Sequence, residues 1–199
     1  MRTAFAGLIF RTGRYYMRGM PETDDEFGAR PGEVAVALPE HFDAGLYFIG
    51  VIRTPWKTRA ECPKNPRESR ESKAVCTIEV TEPYAGALTG IEAFSHLVVV
   101  YFMDRARRDL VLQVPRHLGE PRGSFALRSP VRPNPIALSV VRLLKIEGNR
   151  LSVVGLDCLD KTPLLDLKPY YASVDGAGAE PPETGSPIAS QSSDESSDP

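Results

Sequence analysis

The run FSHLVVVYF (residues 94–102) decides the fold class of this chain. It is almost continuously apolar and rich in β-branched and aromatic residues, which is typical of a strand covered on both faces. Other β-rich stretches lie on both sides of it, separated by turn residues. The further predicted strands are GLYFIGVI (45–52), AVCTIEVTE (74–82), LVLQV (110–114), GSFAL (123–127), IALSVVRLLKI (136–146) and LSVVGLD (151–157). The segment EGNR (147–150) predicts a hairpin turn between the last two.

This succession of short strands predicts a mostly β domain, either a barrel or a sandwich. Helical periodicity is weak and supports only a turn or two, near GALTGIEAF and MDRARRDL. The elements do not alternate β-α-β, and neither the P-loop pattern nor a Gly-rich dinucleotide fingerprint after a strand occurs. A Walker-type NTPase and a Rossmann enzyme are therefore poorly supported.

Composition divides the 199 residues into one folded core and two ends. The chain is 42% hydrophobic and 25% charged, which suits a single soluble globular domain, and it contains no apolar run long enough to span a membrane. We predict an N-terminal extension (1–44), a core (45–173) and a disordered, acidic, Ser/Pro-rich tail (174–199). Met17 or Met20 are alternative translation starts.

Cysteine and histidine are both scarce, with three of each. The cysteines are widely spaced and form no C-x-x-C pair, so a disulfide framework or a zinc site is not indicated. This pattern fits a reducing compartment, and we expect a cytoplasmic protein without a metal site.

The net charge of −2 conceals two basic regions. Residues 53–73 contain seven Lys and Arg against three glutamates, and residues 105–142 contain eight arginines against two acids. Both clusters are compatible with a phosphate-rich partner, although a solvated surface explains them as well.

Four polar segments interrupt the strand pattern and are candidates for chemistry: TPWKTRAECPKNPRES (54–69), MDRARRD (103–109), GSFALRSPVRPNPIAL (123–138) and LDCLDKTPLLDLKPYY (156–171). Structural alternatives stay open for each. Arg128 and Arg132 could pair with Asp157, Asp160 or Asp166, and Asn134 could cap its own turn. His96 and Cys158 could serve packing alone.

Together and in this order, five motifs resemble the TsaA-like, TrmO-type family. They are IGVIRTPW (49–56), PKNP (63–66), GIEAFSHL (90–97), RSPVRPNPI (128–136) and LD-x-x-D-x-TP-x-x-D-x-KPY (156–170). The resemblance covers about residues 47–171. Members of this family are S-adenosylmethionine-dependent tRNA methyltransferases that methylate N6 of threonylcarbamoyladenosine next to the anticodon.

The resemblance implies a small non-Rossmann β-barrel with a few short helices, a homodimer, S-adenosylmethionine as cofactor and the tRNA anticodon stem-loop as partner. Asp160 would be the candidate general base for the N6 proton. Carried over position by position, the cofactor contacts would be Pro63, Lys64, Asn65, Asp104, Arg105, Arg128, Leu138, Asp157, Cys158, Leu159 and Asp160.

The sequence departs from the family pattern in four places. Lys161 replaces the glycine of a D-G-T-P turn, and Asp104-Arg105 stands where the best-known members have His-Gln. The C-terminal domain of longer members is not found, and about 45 unmatched residues precede the core. These departures keep an alternative open: a cofactor-binding sensor or scaffold, or a methyltransferase for a small molecule.

Overall fold

The computed structural model describes residues 29–41, 43–116 and 118–176. The predicted extension before residue 29 and the predicted tail beyond residue 176 lie outside these ranges. Within them, the strands are β1 (Val34–Ala35), β2 (Gly50–Arg53), β3 (Cys76–Val80), β4 (His96–Phe102), β5 (Leu110–Gln113), β6 (Arg122–Gly123), β7 (Ile136–Glu147), β8 (Arg150–Val154) and β9 (Thr162–Pro169). The α-helices are α1 (Pro66–Ser72), α2 (Glu82–Ala85) and α3 (Ala172–Asp175), and 3₁₀ turns occur at Gly86–Leu88, Ile91–Ala93 and Ser124–Ala126.

Six strands close into an antiparallel barrel in the order β2-β3-β8-β7-β4-β9. Strand β4, the predicted buried run, hydrogen bonds along both edges, so that Val99 lies opposite Ser139 of β7 and Leu167 of β9. The mostly β, non-Rossmann fold is therefore confirmed, and the barrel is the form that it takes.

The barrel interior is filled by alternate residues of its strands, since successive side chains of a strand point to opposite faces. Burying each such aliphatic side chain stabilises the fold by about 1.5–3 kcal/mol. The fully buried aliphatic side chains include Ile52, Ile78, Leu97, Val99, Val141, Leu151, Val153 and Leu164.

A smaller three-stranded sheet, β1-β5-β6, accompanies the barrel. The buried carboxylate of Glu33 lies just before β1, where it accepts hydrogen bonds from the Arg30 side chain (2.6 Å) and from the backbone N–H of Val114 (3.1 Å). Part of the predicted extension is thus attached to the chain after β5.

Strand β9 is the main strand that the sequence pattern did not predict. Its residues were expected to be a polar loop because they contain aspartates and prolines. In the structure β9 pairs with both β2 and β4, and Pro163 lies opposite Val51. Without β9 the barrel would remain open.

Two further predictions differ from the structure. Residues 45–49 are not a strand, and GSFAL (123–127) is mostly a 3₁₀ turn. Helix α1 replaces part of an expected loop. Asn65 caps it by accepting a hydrogen bond from the Glu68 N–H (2.9 Å), and a proline occupies the first turn.

The antiparallel registers bring the interstrand segments with the most polar residues to one end of the barrel. The carboxyl ends of β2, β4 and β8 meet the amino ends of β3, β7 and β9 there. We call this end the polar rim; it consists of residues 54–65, 103–109, 124–135 and 155–161. The opposite rim carries α2, the 3₁₀ turns of residues 86–93 and the hairpin at 147–150.

The chain divides into two compact units, Met1–Pro169 and Tyr170–Pro199. The first contains the barrel and the small sheet, and the described part of the second contains α3. In the described part of the chain, every helix is too short or too polar to cross a lipid bilayer.

Candidate functional site

Asp157 of the polar rim forms a hydrogen-bonded cluster with Tyr101 of β4 and Ser139 of β7. The Tyr101 hydroxyl donates to Asp157 Oδ1 (3.0 Å), and Ser139 Oγ donates to the same oxygen (3.1 Å). Burial, together with the negative charge of Asp157, raises the pKa of Tyr101 far above its ordinary value, so this hydroxyl keeps its proton and remains a donor. The cluster connects β4, β7 and the segment after β8.

Asp160 is attached to the end of β2. Its Oδ1 accepts the Thr54 N–H (3.3 Å), and its own N–H donates to the Trp56 carbonyl (2.7 Å). The hydroxyl of Thr54 donates to the Cys158 carbonyl (3.0 Å). Residues 158–160 are therefore fixed against the 54–56 segment from both sides.

Gly155 makes the turn from β8 into this segment. Its φ is +116°, and a side-chain carbon at this position would lie 3.3 Å from the Val140 carbonyl oxygen. Both the backbone conformation and the close approach of β7 require glycine here.

Lys161, which replaces the glycine of the family turn, adopts the left-handed conformation, with φ +69°. Its N–H donates to the Ile52 carbonyl (2.9 Å). The turn into β9 thus has the shape that favours glycine, even though lysine occupies it.

The three thiols near the barrel are free. Burial raises the pKa of Cys62 to about 11 and that of Cys76 to about 12, and it also raises the pKa of Cys158. Since only the thiolate is a strong nucleophile, thiol catalysis at neutral pH is disfavoured. Cys62 instead donates its S–H to the Asp157 carbonyl (3.3 Å).

The proline loop before β7 is tied to the segment after β4. The Pro135 carbonyl accepts the Met103 N–H (2.8 Å), and the Arg132 N–H donates to the Arg107 carbonyl (3.2 Å). Pro135 is fully buried. The three prolines of this loop therefore belong to a segment that is fixed at several points.

The arginines and the asparagine of this loop do not make the expected pairs. Arg132 donates to the carbonyls of Ser124 (2.8 Å) and Leu127 (2.9 Å), so the alternative that it pairs with an aspartate is wrong. The carboxylate of Asp166 instead pairs with Lys168.

Arg128 donates to the Leu138 carbonyl (3.4 Å), so the aspartate pairing is wrong for it too. The Asn134 side chain accepts from Arg108 (3.2 Å), where an Asx bond to its own turn was expected.

The predicted cofactor residues fall into four groups on or beside the polar rim. One group is the continuous segment of Asp157, Cys158, Leu159 and Asp160. In another, Arg128 donates to the backbone carbonyl of Leu138, whose side chain is 47% exposed. Lys64 and Asn65, which follow Pro63, form hydrogen bonds with Glu68 of α1. Asp104 and Arg105 follow β4, and partial burial raises the pKa of Asp104. Their contacts with a cofactor stay predictions.

Sequence reasoning missed Tyr101, Ser139 and Thr54. A signal was present for the first two, because each places a hydroxyl within an otherwise apolar strand (LVVVYF and IALSVV). A buried hydroxyl needs a hydrogen-bond partner, and here that partner is Asp157. Across the described ranges, no group of three or more His, Cys, Asp or Glu side chains is arranged to hold a metal ion.

Comparison with known proteins gives a consistent family. A protein of Rhizobium radiobacter named "Probable S-adenosyl-L-methionine-binding protein VirR" is 53% identical over 140 residues, which cover 70% of this chain and 78% of that protein. The tRNA (adenine(37)-N6)-methyltransferase of Escherichia coli is 38% identical over 133 residues, which cover 61% of this chain and 55% of that enzyme. The chain thus spans about half the length of this relative.

Solved structures agree. The crystal structure of TrmO from Pseudomonas aeruginosa superposes with a TM-score of 0.58 at 31% identity, covering 73% of this chain and 64% of that one. A family model described as the tRNA-methyltransferase O N-terminal domain matches residues 51–176, which include the whole barrel except Gly50. The match extends over more than half of the chain, and the chain belongs to the tRNA-methyltransferase O N-terminal domain family.

Proposed function

We propose that the polar rim binds S-adenosylmethionine and that the protein methylates N6 of threonylcarbamoyladenosine next to the tRNA anticodon. The observation that carries the proposal is the convergence, at one end of the barrel, of two positioned carboxylates, Asp157 and Asp160, with Arg128 and the half-exposed Leu138. The methyltransferase and cofactor-binding names of the relatives support the same reaction.

The chemistry of the rim fits this cofactor. Both hydrogen bonds to Asp157 converge on Oδ1, which leaves its second oxygen for a cation. Arg128 forms no ion pair with any described residue and keeps its charge for a carboxylate. Leu138 offers apolar surface for an adenine ring. Positive, negative and apolar groups of the ligand would each meet a suitable side chain.

Bound S-adenosylmethionine would supply an electrophilic methyl group on a sulfonium. The protein's part is then to align the acceptor nitrogen and to take up its proton, and alignment alone supplies much of the rate of such displacements. Asp160 is our candidate base because its carboxylate is held by the backbone of Thr54 and is only partly buried. The hydrogen bonds around Asp160 and Asp157 would keep both carboxylates in place during the reaction.

The proposed acceptor is RNA because of the charge around the rim. Five of the eight arginines in residues 105–142 lie on the polar rim, where they could contact phosphates of an anticodon stem-loop: Arg105, Arg107, Arg108, Arg128 and Arg132. We also propose a homodimer. Apolar surface for self-association is available beside the rim, where Ile136 and Leu138 are both substantially exposed. Light scattering of the purified protein tests the dimer.

A methyl-transfer assay tests the reaction. Purified protein with radiolabelled cofactor should methylate tRNA that carries threonylcarbamoyladenosine and leave matched tRNA without this modification unlabelled. Mass spectrometry of tRNA from a deletion strain should show loss of the methylated nucleoside. Absence of labelling on the modified tRNA, with cofactor binding intact, would remove the proposed substrate.

A second candidate is a cofactor-binding protein that does not act on tRNA. The VirR relative favours this candidate, because its name refers to binding alone. This chain covers 78% of the length of that relative. Calorimetry combined with the methyl-transfer assay separates the two: Arg128→Ala should weaken cofactor binding in either case, whereas only an enzyme has a methyl transfer that Asp160→Ala can reduce. Tight binding with no transfer to any tRNA would favour this second candidate.

A further inference from the structure

An open groove beside the proline loop is used by neither the proposed cofactor site nor the proposed base. It has a volume of about 320 Å³ and is lined by Phe125, Arg132, Pro133 and Asn134. Its walls therefore combine an aromatic ring, a guanidinium, a proline ring and an amide.

The Phe125 ring stands on a backbone turn that is fixed by hydrogen bonds, and the ring itself is exposed to solvent. Phe125 lies in the middle of the 3₁₀ turn Ser124–Ala126, and 86% of its surface is exposed. Arg132 holds this turn through the carbonyls of Ser124 and Leu127. A large aromatic side chain so exposed on a fixed turn contributes little to folding and leaves the face of its ring open to a stacking ligand.

The same turn is also held from the small sheet. Gln113 donates to Ser124 Oγ (2.8 Å), and Ser124 Oγ donates to the Leu110 carbonyl (2.7 Å). These buried hydrogen bonds fix the backbone on which Phe125 stands. A ligand that stacks on the ring would therefore not have to order the turn.

The groove carries positive charge. The hydrogen bonds of Arg132 go to uncharged carbonyls, it forms no ion pair with the residues described, and its buried Nε has no hydrogen-bond partner among them. Arg108 lies beside this wall and donates to the Pro133 carbonyl (2.6 Å) and to Asn134 Oδ1 (3.2 Å). An anionic ligand would therefore be attracted to this wall.

The Asn134 side chain adds a directional group. Because its Oδ1 accepts from Arg108, its orientation is fixed and its Nδ2 remains a hydrogen-bond donor for a ligand. Aromatic stacking, a fixed amide and a nearby guanidinium together are the means by which proteins hold an unpaired nucleobase and its phosphate.

We propose that this groove binds one unpaired nucleotide of the substrate RNA, other than the methyl-accepting adenosine, with its base stacked on Phe125 and its phosphate near Arg132. The proposal rests on RNA being the substrate. It assigns to Phe125 and Asn134 a role in positioning the acceptor loop, separate from cofactor binding.

Steady-state kinetics test this role. Phe125→Ala should raise the KM for tRNA by about five- to a hundredfold, the range expected when one stacked base is lost, with the cofactor Kd unchanged. Phe125→Trp, which keeps an aromatic ring at this position, should retain most of the affinity for tRNA. Tyr84→Ala, which removes another exposed aromatic ring at the opposite rim, is the matched control and should behave like the unsubstituted protein. An unchanged KM in Phe125→Ala would overturn the proposal.

A binding assay gives a readout that does not depend on catalysis. Anticodon stem-loops with 2-aminopurine at single loop positions should show quenched fluorescence at one position with the unsubstituted protein, and recovery with Phe125→Ala. Such quenching without methyl transfer would retain the groove while the proposed reaction failed. If Phe125→Ala instead turns a dimer into a monomer by light scattering, the residue is a subunit contact and the proposal is overturned.

Discussion

The hydroxyl of Tyr101 on β4 donates a hydrogen bond to Oδ1 of Asp157, 56 positions later in the chain, over 3.0 Å. Ser139 of β7 donates to the same oxygen, so two neighbouring barrel strands fix one carboxylate at the polar rim. The orientation of this carboxylate therefore depends on barrel closure, and the cluster can be tested one hydroxyl at a time.

Replacing Tyr101 by phenylalanine should destabilise the barrel by about 1–2 kcal/mol, because the hydroxyl that contacts both Asp157 and Ser139 is lost while Ser139 still supports Asp157. Cofactor affinity should fall by about five- to tenfold, as expected when the carboxylate is less well held. Denaturant unfolding and calorimetry measure the two effects. The control Tyr84→Phe alters an exposed ring at the opposite rim and should change neither stability nor cofactor affinity. Unaltered cofactor affinity in Tyr101→Phe would argue against Asp157 as a cofactor contact.

Asp160→Asn separates the charge of this residue from its structural contact. The asparagine oxygen can still accept the Thr54 N–H, so stability should change by less than about 1 kcal/mol. Single-turnover methyl transfer should slow by about 10²- to 10⁴-fold if the carboxylate is the base. Asp166→Asn, which removes only a partly exposed pair with Lys168, is the control. A rate within a few-fold of the unsubstituted protein would exclude Asp160 as the base.

Lys161→Gly should stabilise the protein by about 0.5–1 kcal/mol, because glycine adopts φ +69° without the steric cost that lysine bears. Lys161→Val should destabilise it, since β-branched residues tolerate this conformation poorly. Thermal unfolding of the two variants gives the comparison. Equal melting temperatures would mean that the turn into β9 carries no strain.

The stability of the barrel unit should fall in acid through Glu33. Its hydrogen bonds with Arg30 lower the pKa of the carboxyl from 4.5 to about 2. A lowered folded-state pKa contributes stability that is fully present above 4.5 and is lost as the pH falls from 4.5 towards 2.

The contribution of Glu33 should be about 1–2 kcal/mol, allowing for solvent screening of the half-exposed Arg30. Urea unfolding between about pH 6 and 3 measures it. Glu33→Gln should be less stable at neutral pH and should lose less stability in acid. Parallel pH profiles for the two proteins would contradict this role of Glu33.

Local pattern was enough to predict most barrel strands. The apolar runs of β4 and β7 and the hairpin between β7 and β8 appear as expected because burial on a barrel leaves a clear mark on such segments. Pattern alone left barrel and sandwich open, since closure depends on β9. Its prolines and aspartates conceal a strand whose partners, β2 and β4, lie far away in the chain.

The candidate site was predictable only in part. The polar segments were recognised as breaks in the strand pattern, and the structure does bring them to one rim. Which atoms meet could not be predicted, because those contacts depend on register between distant strands. Arg132 shows this well: its charge left an aspartate partner open, but in the fold it donates to two carbonyls of a nearby turn.

The opposite rim has a consequence for use of the protein. Its turn at residues 86–90 contains Gly86, around which an added side-chain carbon would meet no atom within 4 Å and whose φ of −60° any residue can adopt. No residue proposed here for cofactor, base or RNA lies there. This end should therefore accept a fluorescent label or a surface tether, so that single molecules can be immobilised with the reactive end facing solution.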